Sequence, residues 1–271
     1  MEKLRLDVYM EELGLAESRS SAQRIIMAGQ ARVNGQVVLK VAAKVNRTDV
    51  IEVDKPPQFV SRGGEKLLGA LEAFDLLNLD GLVCADIGSS TGGFTDCLLQ
   101  HGAAKVFAVD VGYGIMHWKL RNHPQVVVME RTNARYVEGF DDPIQLVTID
   151  ASFISLRTLL PSVKKWLQQS GGQVVALIKP QFEAGRQDAA KGEGVIRDGL
   201  VHQRILEQVL SFAVQEGFEI KGLIQSPLTG PKGNIEFLTL LSYPAKVQCN
   251  AAEWVEKLYP TESQGEEIAS N

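Results

Sequence analysis

Between Cys84 and Gly112 the chain reads CADIGSSTGGFTDCLLQHGAAKVFAVDVG: two apolar strands, each ending in an acid, joined by a glycine-rich turn and an amphipathic run. Asp86 ends the first strand, Gly88, Gly92 and Gly93 shape the turn, and Asp110 ends the second strand 24 residues after Asp86. A dinucleotide site needs G-x-G-x-x-G, because the second glycine lets backbone approach a pyrophosphate; Ser90 stands at that position. A phosphate loop needs Gly-Lys-Ser/Thr, which does not follow. The order present is D-x-G-x-x-x-G-G-F, ending at Phe94. It suits a ligand without phosphate, whose amino-acid portion enters the loop while a sulfonium is left uncrowded. S-adenosylmethionine (SAM) is such a ligand. Asp110 would then accept from both ribose hydroxyls, and Asp86 would attract the ammonium group directly or through water. A glycine turn between strand and helix is also a common structural device, so the loop gains its meaning from the acids and the sheet around it.

A second set of charges sits in apolar company. VTIDASF puts Asp150 at the carboxyl end of a strand, where open α/β sheets build their sites. Lys179 follows VVALI, Glu236 lies inside the expected strand NIEFLTLL, and Lys66 is on the helix before the first strand. A charge on a buried strand is costly unless paired. Together they form an alternating Lys-Asp-Lys-Glu set; singly, each is readable as a surface exception. Amino-group methylation of bases uses Asp/Asn-Pro-Pro-Tyr/Phe where this chain has Asp-Ala-Ser-Phe, and cytosine C5 chemistry needs a cysteine, often after proline, but no Pro-Cys occurs. Both absences weigh against base methylation.

The elements that must hold these residues alternate. Strands are predicted at 82–87, 105–110, 126–130, 144–150 and 173–178 with helices between them, a doubly wound parallel pattern. FEIKGLIQSP and NIEFLTLLSY follow, joined by LTGPKG. That link is too short for a parallel crossover, so the last two strands should pair antiparallel. A parallel sheet closed by an antiparallel hairpin is the architecture of SAM-dependent methyltransferases. Ahead of it, 3–14 and 19–29 read as helices, Asn34-Gly35 as a hairpin turn, VIEVD as a strand and Pro56-Pro57 as a break. The expected division is a small α+β module at 1–57, a linker at 58–62, the α/β domain at 63–246 and an acidic tail at 247–271.

Composition narrows the class further. The net charge is −5, yet Ser18 to Thr48 holds Arg19, Arg24, Arg32, Lys40, Lys44 and Arg47 and no acid, while the segment from Val247 holds five acids against Lys257. A local basic segment matters more to phosphate recognition than the total. Three scattered cysteines, no apolar run of membrane length and a charged start fit a cytoplasmic protein without structural zinc or disulfides.

SRGGEKLLGAL, DIGSSTGGFTD, AVDVGYG, TIDASFIS and LIKPQFE together closely resemble the TlyA family, often named haemolysin A, which joins an S4-type RNA-binding domain to an FtsJ-like methyltransferase domain. The resemblance spans Leu4 to Tyr243. It implies SAM as donor, ribosomal RNA or a ribosomal subunit as partner, and ribose 2′-O-methylation of cytidine, with no metal and no membrane. It implies Lys66, Asp150, Lys179 and Glu236 as the catalytic tetrad, Asp86, Gly88, Ser90, Gly92, Gly93, Phe94 and Asp110 as the SAM site, and the six bases as RNA contacts. Asn133 matches a position where FtsJ-type enzymes hold an Asp near the adenine amino group. In that chemistry Lys179 hydrogen-bonds the attacking oxygen, Asp150 and Glu236 orient it, and Lys66 balances the carboxylates. Base methylation, a membrane-active haemolysin and a non-catalytic RNA-binding protein are the alternative readings.

Overall fold

The computed structural model describes residues 3–54, 57–167, 171–184 and 194–260. Pro56 and the tail acids Glu262, Glu266 and Glu267 lie outside the described residues. The chain forms two units, Met1–Gln58 and Phe59–Asn271.

In the first unit, β1 (Leu4–Arg5) leads into α1 (Leu6–Glu12), followed by α2 (Arg19–Met27), β2 (Ala31–Val33), β3 (Gln36–Val37), β4 (Lys44–Val45) and β5 (Ile51–Val53). Ser18 Oγ caps α2 by accepting from Ser21 N. Asn34 and Gly35 both have positive φ, the backbone a two-residue hairpin turn requires, and β2 pairs antiparallel with β3 and β5. The short pair β1–β4 was not expected from the sequence; two residues give too little pattern to read. Leu6, Met10, Ile26 and Ala31 are wholly buried between helices and strands. Asp7 is also buried, and it accepts from Arg5, from Arg19 Nε at 2.9 Å and from Gln23 at 2.9 Å. The Arg5 guanidinium first, then Arg19 and Gln23, hold its carboxyl well below the usual carboxylate range against the cost of burial.

The second unit runs α3 (Gly63–Ala73), β6 (Val83–Ile87), α4 (Gly93–Gln100), β7 (Lys105–Val109), α5 (Trp118–Arg121), β8 (Val126–Met129), β9 (Leu146–Ile149), α6 (Leu156–Leu167), β10 (Gly172–Ile178), α7 (Pro180–Glu183), α8 (Gly199–Gln215), β11 (Glu219–Gln225), β12 (Phe237–Tyr243) and α9 (Ala251–Leu258). Its seven-stranded sheet has the order β11-β12-β10-β9-β6-β7-β8. β8 to β10 are parallel, and β12 enters antiparallel between β10 and β11. Successive strand residues feed opposite faces: Ala85 and Ile87 join Val147, Leu160 and Leu206 on one side, and Cys84 joins Leu67, Leu71 and Leu98 on the other. The chain turns outward from β6 to β8 and returns at β9 on the other side of β6, so the switch point lies between the carboxyl ends of β6 and β9.

Both expected boundary segments make contacts with the second unit. Within the linker at 58–62, Phe59 is buried against α3, where a Cβ on Gly64 would overlap its ring at 2.2 Å, and Val60 N donates to Asp96, while Gln58 and Arg62 are exposed. The tail begins with α9, whose Ala251 and Val255 are buried against the second unit. An apolar stripe on an eight-residue helix outweighs the segment's acidic composition.

Candidate active site

The glycine loop leaves β6 at the switch point. Gly88 has φ +80°, and a Cβ there would stand 2.7 Å from the backbone oxygen of Asp150, so only glycine fits between the two strand ends. Ser90 also has positive φ, and its N–H donates to Asp110 Oδ2 at 2.8 Å while Gly112 N donates to Oδ1 at 2.7 Å. Asp110 therefore ties the loop to the end of β7 and retains further lone pairs for a ligand. Gly93, first residue of α4, sits where a Cβ would come within 2.8 Å of Gly64 N, so the starts of α3 and α4 approach closely.

Two cavities open on this loop and share Gly88, Ser90 and Asp150. One, of about 440 Å³, is walled by Val109, Asp110, Asn133, Ala134, Ser152 and Phe153. The other, of about 240 Å³, is walled by Ser61, Arg62, Lys66, Gly93, Phe94 and Thr229 among others. The first offers apolar walls with an acid and an amide at the edge, a fit for a nucleoside. Asn133 Oδ1 already accepts from Arg135 N at 3.1 Å and keeps a second lone pair.

Asp86 lies one residue from the end of β6. It is wholly buried and lines neither cavity, with Oδ2 accepting from Thr95 Oγ1 at 2.6 Å and Oδ1 from Thr148 Oγ1 at 3.0 Å. Burial pushes its carboxyl up to about 6, with the two threonines opposing. It joins β6, α4 and β9 beneath the loop.

The four charges resolve into two ion pairs. Lys66 Nζ lies 2.5 Å from Glu236 Oε2, and Lys179 Nζ lies 2.6 Å from Asp150 Oδ1. Lys179 also donates to Ser152 Oγ at 3.0 Å. Its approach to Asp150 is off the hydrogen-bonding direction, so Asp150 Oδ1 has no aligned donor. Glu236 stands one residue before β12, and its backbone oxygen still accepts from Ser226 N across the hairpin. Lys66, Lys179 and Glu236 are buried, and Asp150 is half-buried at the cavity wall.

Sequence reasoning missed the residues that hold these loops. Ser152, Gln181 and Glu183 lie within TIDASFIS and LIKPQFE, but their types carry no signal of their own. Glu183 is buried and accepts from Ser155 Oγ and Leu156 N at 2.5 and 2.6 Å, fastening the turn after β10 to the start of α6. Burial pushes its carboxyl up, against those hydrogen bonds. Phe153 and Phe182 add a ring contact at 4.9 Å between the same two segments.

In the first unit, Arg24, Lys40 and Lys44 are exposed. Arg19 and Arg47 are exposed as well, and with the half-buried Arg32 they meet Asp7, Glu12 and Asp54, acids that lie outside the acid-free run in sequence and beside it in space. Among the described residues no helix is long and apolar enough to cross a membrane.

The FtsJ-like methyltransferase family matches residues 59–243, more than half of the chain. The chain belongs to the FtsJ-like methyltransferases. This FtsJ-like enzyme also matches the S4 domain over residues 4–51. Hemolysin A of Brachyspira hyodysenteriae is 47% identical over 238 residues, covering 87% of this chain and 98% of that one. The Mycobacterium tuberculosis protein named 16S/23S rRNA (cytidine-2′-O)-methyltransferase TlyA is 43% identical over 243 residues, covering 88% and 90%. A solved Streptococcus thermophilus structure described as a hemolysin matches with a TM-score of 0.70 at 42% identity, covering 95% and 96%. The TlyA resemblance carried by the motifs therefore extends over most of this FtsJ-like methyltransferase.

Proposed function

We propose that the chain methylates the ribose 2′-hydroxyl of a cytidine in ribosomal RNA, with SAM as donor. The observation that carries this reading is the meeting of Lys66–Glu236 and Lys179–Asp150 beside a glycine loop closed by Asp110. The substrate follows the TlyA relative's name and the S4 match. Bound against Asp110 and Asn133, SAM would supply an already activated methyl group. A ribose hydroxyl is a poor nucleophile, so the protein's task is to orient it and stabilise the charge it develops. The Lys179 ammonium serves both ends, with Ser152 and Asp150 fixing its direction. Asp150, which lines both cavities, supplies a carboxylate acceptor for the hydroxyl's hydrogen bond. Lys66, paired with Glu236, lines the smaller cavity together with Asp150. In the S4 unit, Arg24, Lys40 and Lys44 are proposed as phosphate contacts.

The test compares ribosomal RNA from cells with and without this protein. A 2′-O-methyl group leaves its phosphodiester resistant to alkaline cleavage; a methyl on a base does not. Loss of one alkali-resistant cytidine on deletion, restored by the wild-type chain and not by Asp150→Asn, is the expected result. Loss of a base methyl instead would establish the base-methylation alternative.

A further inference from the structure

Gln181 reaches one of the two ion pairs from the turn that carries the other. It is the second residue of α7, two positions after Lys179, and its Nε2 donates to Glu236 Oε1 at 3.2 Å. Lys66 holds the other oxygen of the same carboxylate at 2.5 Å. Both oxygens of Glu236 are thus gripped by donors from elements far apart in sequence. The amide has one workable orientation, because turned over its carbonyl would face a carboxylate with no proton between them. That orientation leaves Gln181 Oε1 buried and without a hydrogen-bond donor; among the described residues the other buried side-chain atom with no aligned hydrogen bond, Asp150 Oδ1, at least faces the Lys179 ammonium. A buried orphan acceptor is unfavourable. Packing alone would favour an apolar side chain of the same length at this position. Gly230 points the same way: a Cβ there would come within 2.6 Å of Glu236 Oε1, so the space around that oxygen is kept clear.

We propose that Gln181 is a positioning residue for methyl transfer. By holding Glu236 it locks the Lys66–Glu236 pair to the turn that carries Lys179, so that the two pairs form one rigid frame. This rests on the tetrad reading given above.

The test is Gln181→Met in the full chain, which preserves length while removing both the donor and the orphan oxygen. The expected result is thermal stability equal to or above wild type, unchanged SAM affinity and RNA KM, and a single-turnover rate lower by roughly ten- to a hundred-fold, the value of one hydrogen bond to a charged group. Gln181→Glu, of the same size, puts a second carboxylate beside Glu236 and should lose at least as much. In a Glu236→Gln background, Gln181→Met should cost less than about threefold more, because it acts through Glu236. A stability loss with the rate intact would mark a structural role and overturn the proposal. So would a Gln181→Met rate within about threefold of wild type while Glu236→Gln is slow. If Glu236→Gln itself keeps the wild-type rate, the tetrad reading fails, and the role of Gln181 fails with it.

Discussion

Lys179 donates to Ser152 and faces Asp150, two polar groups on the loop after β9. An ammonium so held is suited to orient a hydroxyl and stabilise an alkoxide rather than to take a proton. Lys179→Ala should lower the single-turnover rate by about 10²–10³-fold with SAM affinity intact. Lys179→Arg keeps the charge and cannot accept a proton, so activity clearly above that of Ala is expected. Equal inactivity, with the Arg side chain shown by structure to occupy the Lys position, would refute the electrostatic role. Asp86 makes a different prediction. Its folded carboxyl titrates at about 6, above the unfolded value, so its contribution to stability is full below the unfolded pKa and is lost as pH rises through about 6. Asp86→Asn removes that dependence. The stability difference between wild type and variant should shift by about 1–2 kcal/mol in favour of wild type from pH 7.5 to pH 5, read by urea unfolding. A difference that is flat with pH would remove the assignment.

At the level of elements, the site depends on segments that follow strand ends. Glu183, at the end of α7, caps the N-terminus of α6 from outside that helix, and Phe153 and Phe182 close the same gap. The turn bearing Lys179 and the loop bearing Asp150 are therefore one mechanical piece. Glu183→Ala should destabilise the second unit by about 1–3 kcal/mol, since it strips the donors Ser155 and Leu156 N of their acceptor. A melting temperature equal to wild type would show that α6 does not need this cap. The alternation of strands with helices was legible from the sequence; a cap supplied by a residue 27 positions beyond Leu156 was not, because no local rule links them.

Over the whole molecule, tertiary contacts sort the six bases of the S4 unit into two kinds. Arg19 belongs to the Asp7 cluster, and removing it leaves a buried carboxylate short of a partner, so its loss should cost stability before it costs RNA affinity. Arg24, Lys40 and Lys44 are the clean test. Replacing all three by Ala should weaken binding to ribosomal RNA, leave SAM affinity unchanged and reduce the slope of log affinity against log salt by about 2–3. An unchanged slope would place the phosphate contacts elsewhere.

The sequence by itself determined the strand–helix alternation, the antiparallel closure, the glycine loop and the acid at Asp110, because these rest on local periodicity and on spacings along the chain. It also singled out Asp150, Lys179 and Glu236 as charges at or within apolar strands, and the family resemblance joined Lys66 on its helix to them. Only the tertiary structure decided which partners they take: Lys66 with Glu236, 170 positions away, and Lys179 with Asp150. The same step buried Asp86 beneath the loop, moved Phe59 from linker to core, paired Arg19, Arg32 and Arg47 with acids, and gave Gln181 its place against Glu236. Pairing and burial are set by what the fold brings alongside a residue, and a linear pattern holds no measure of that distance.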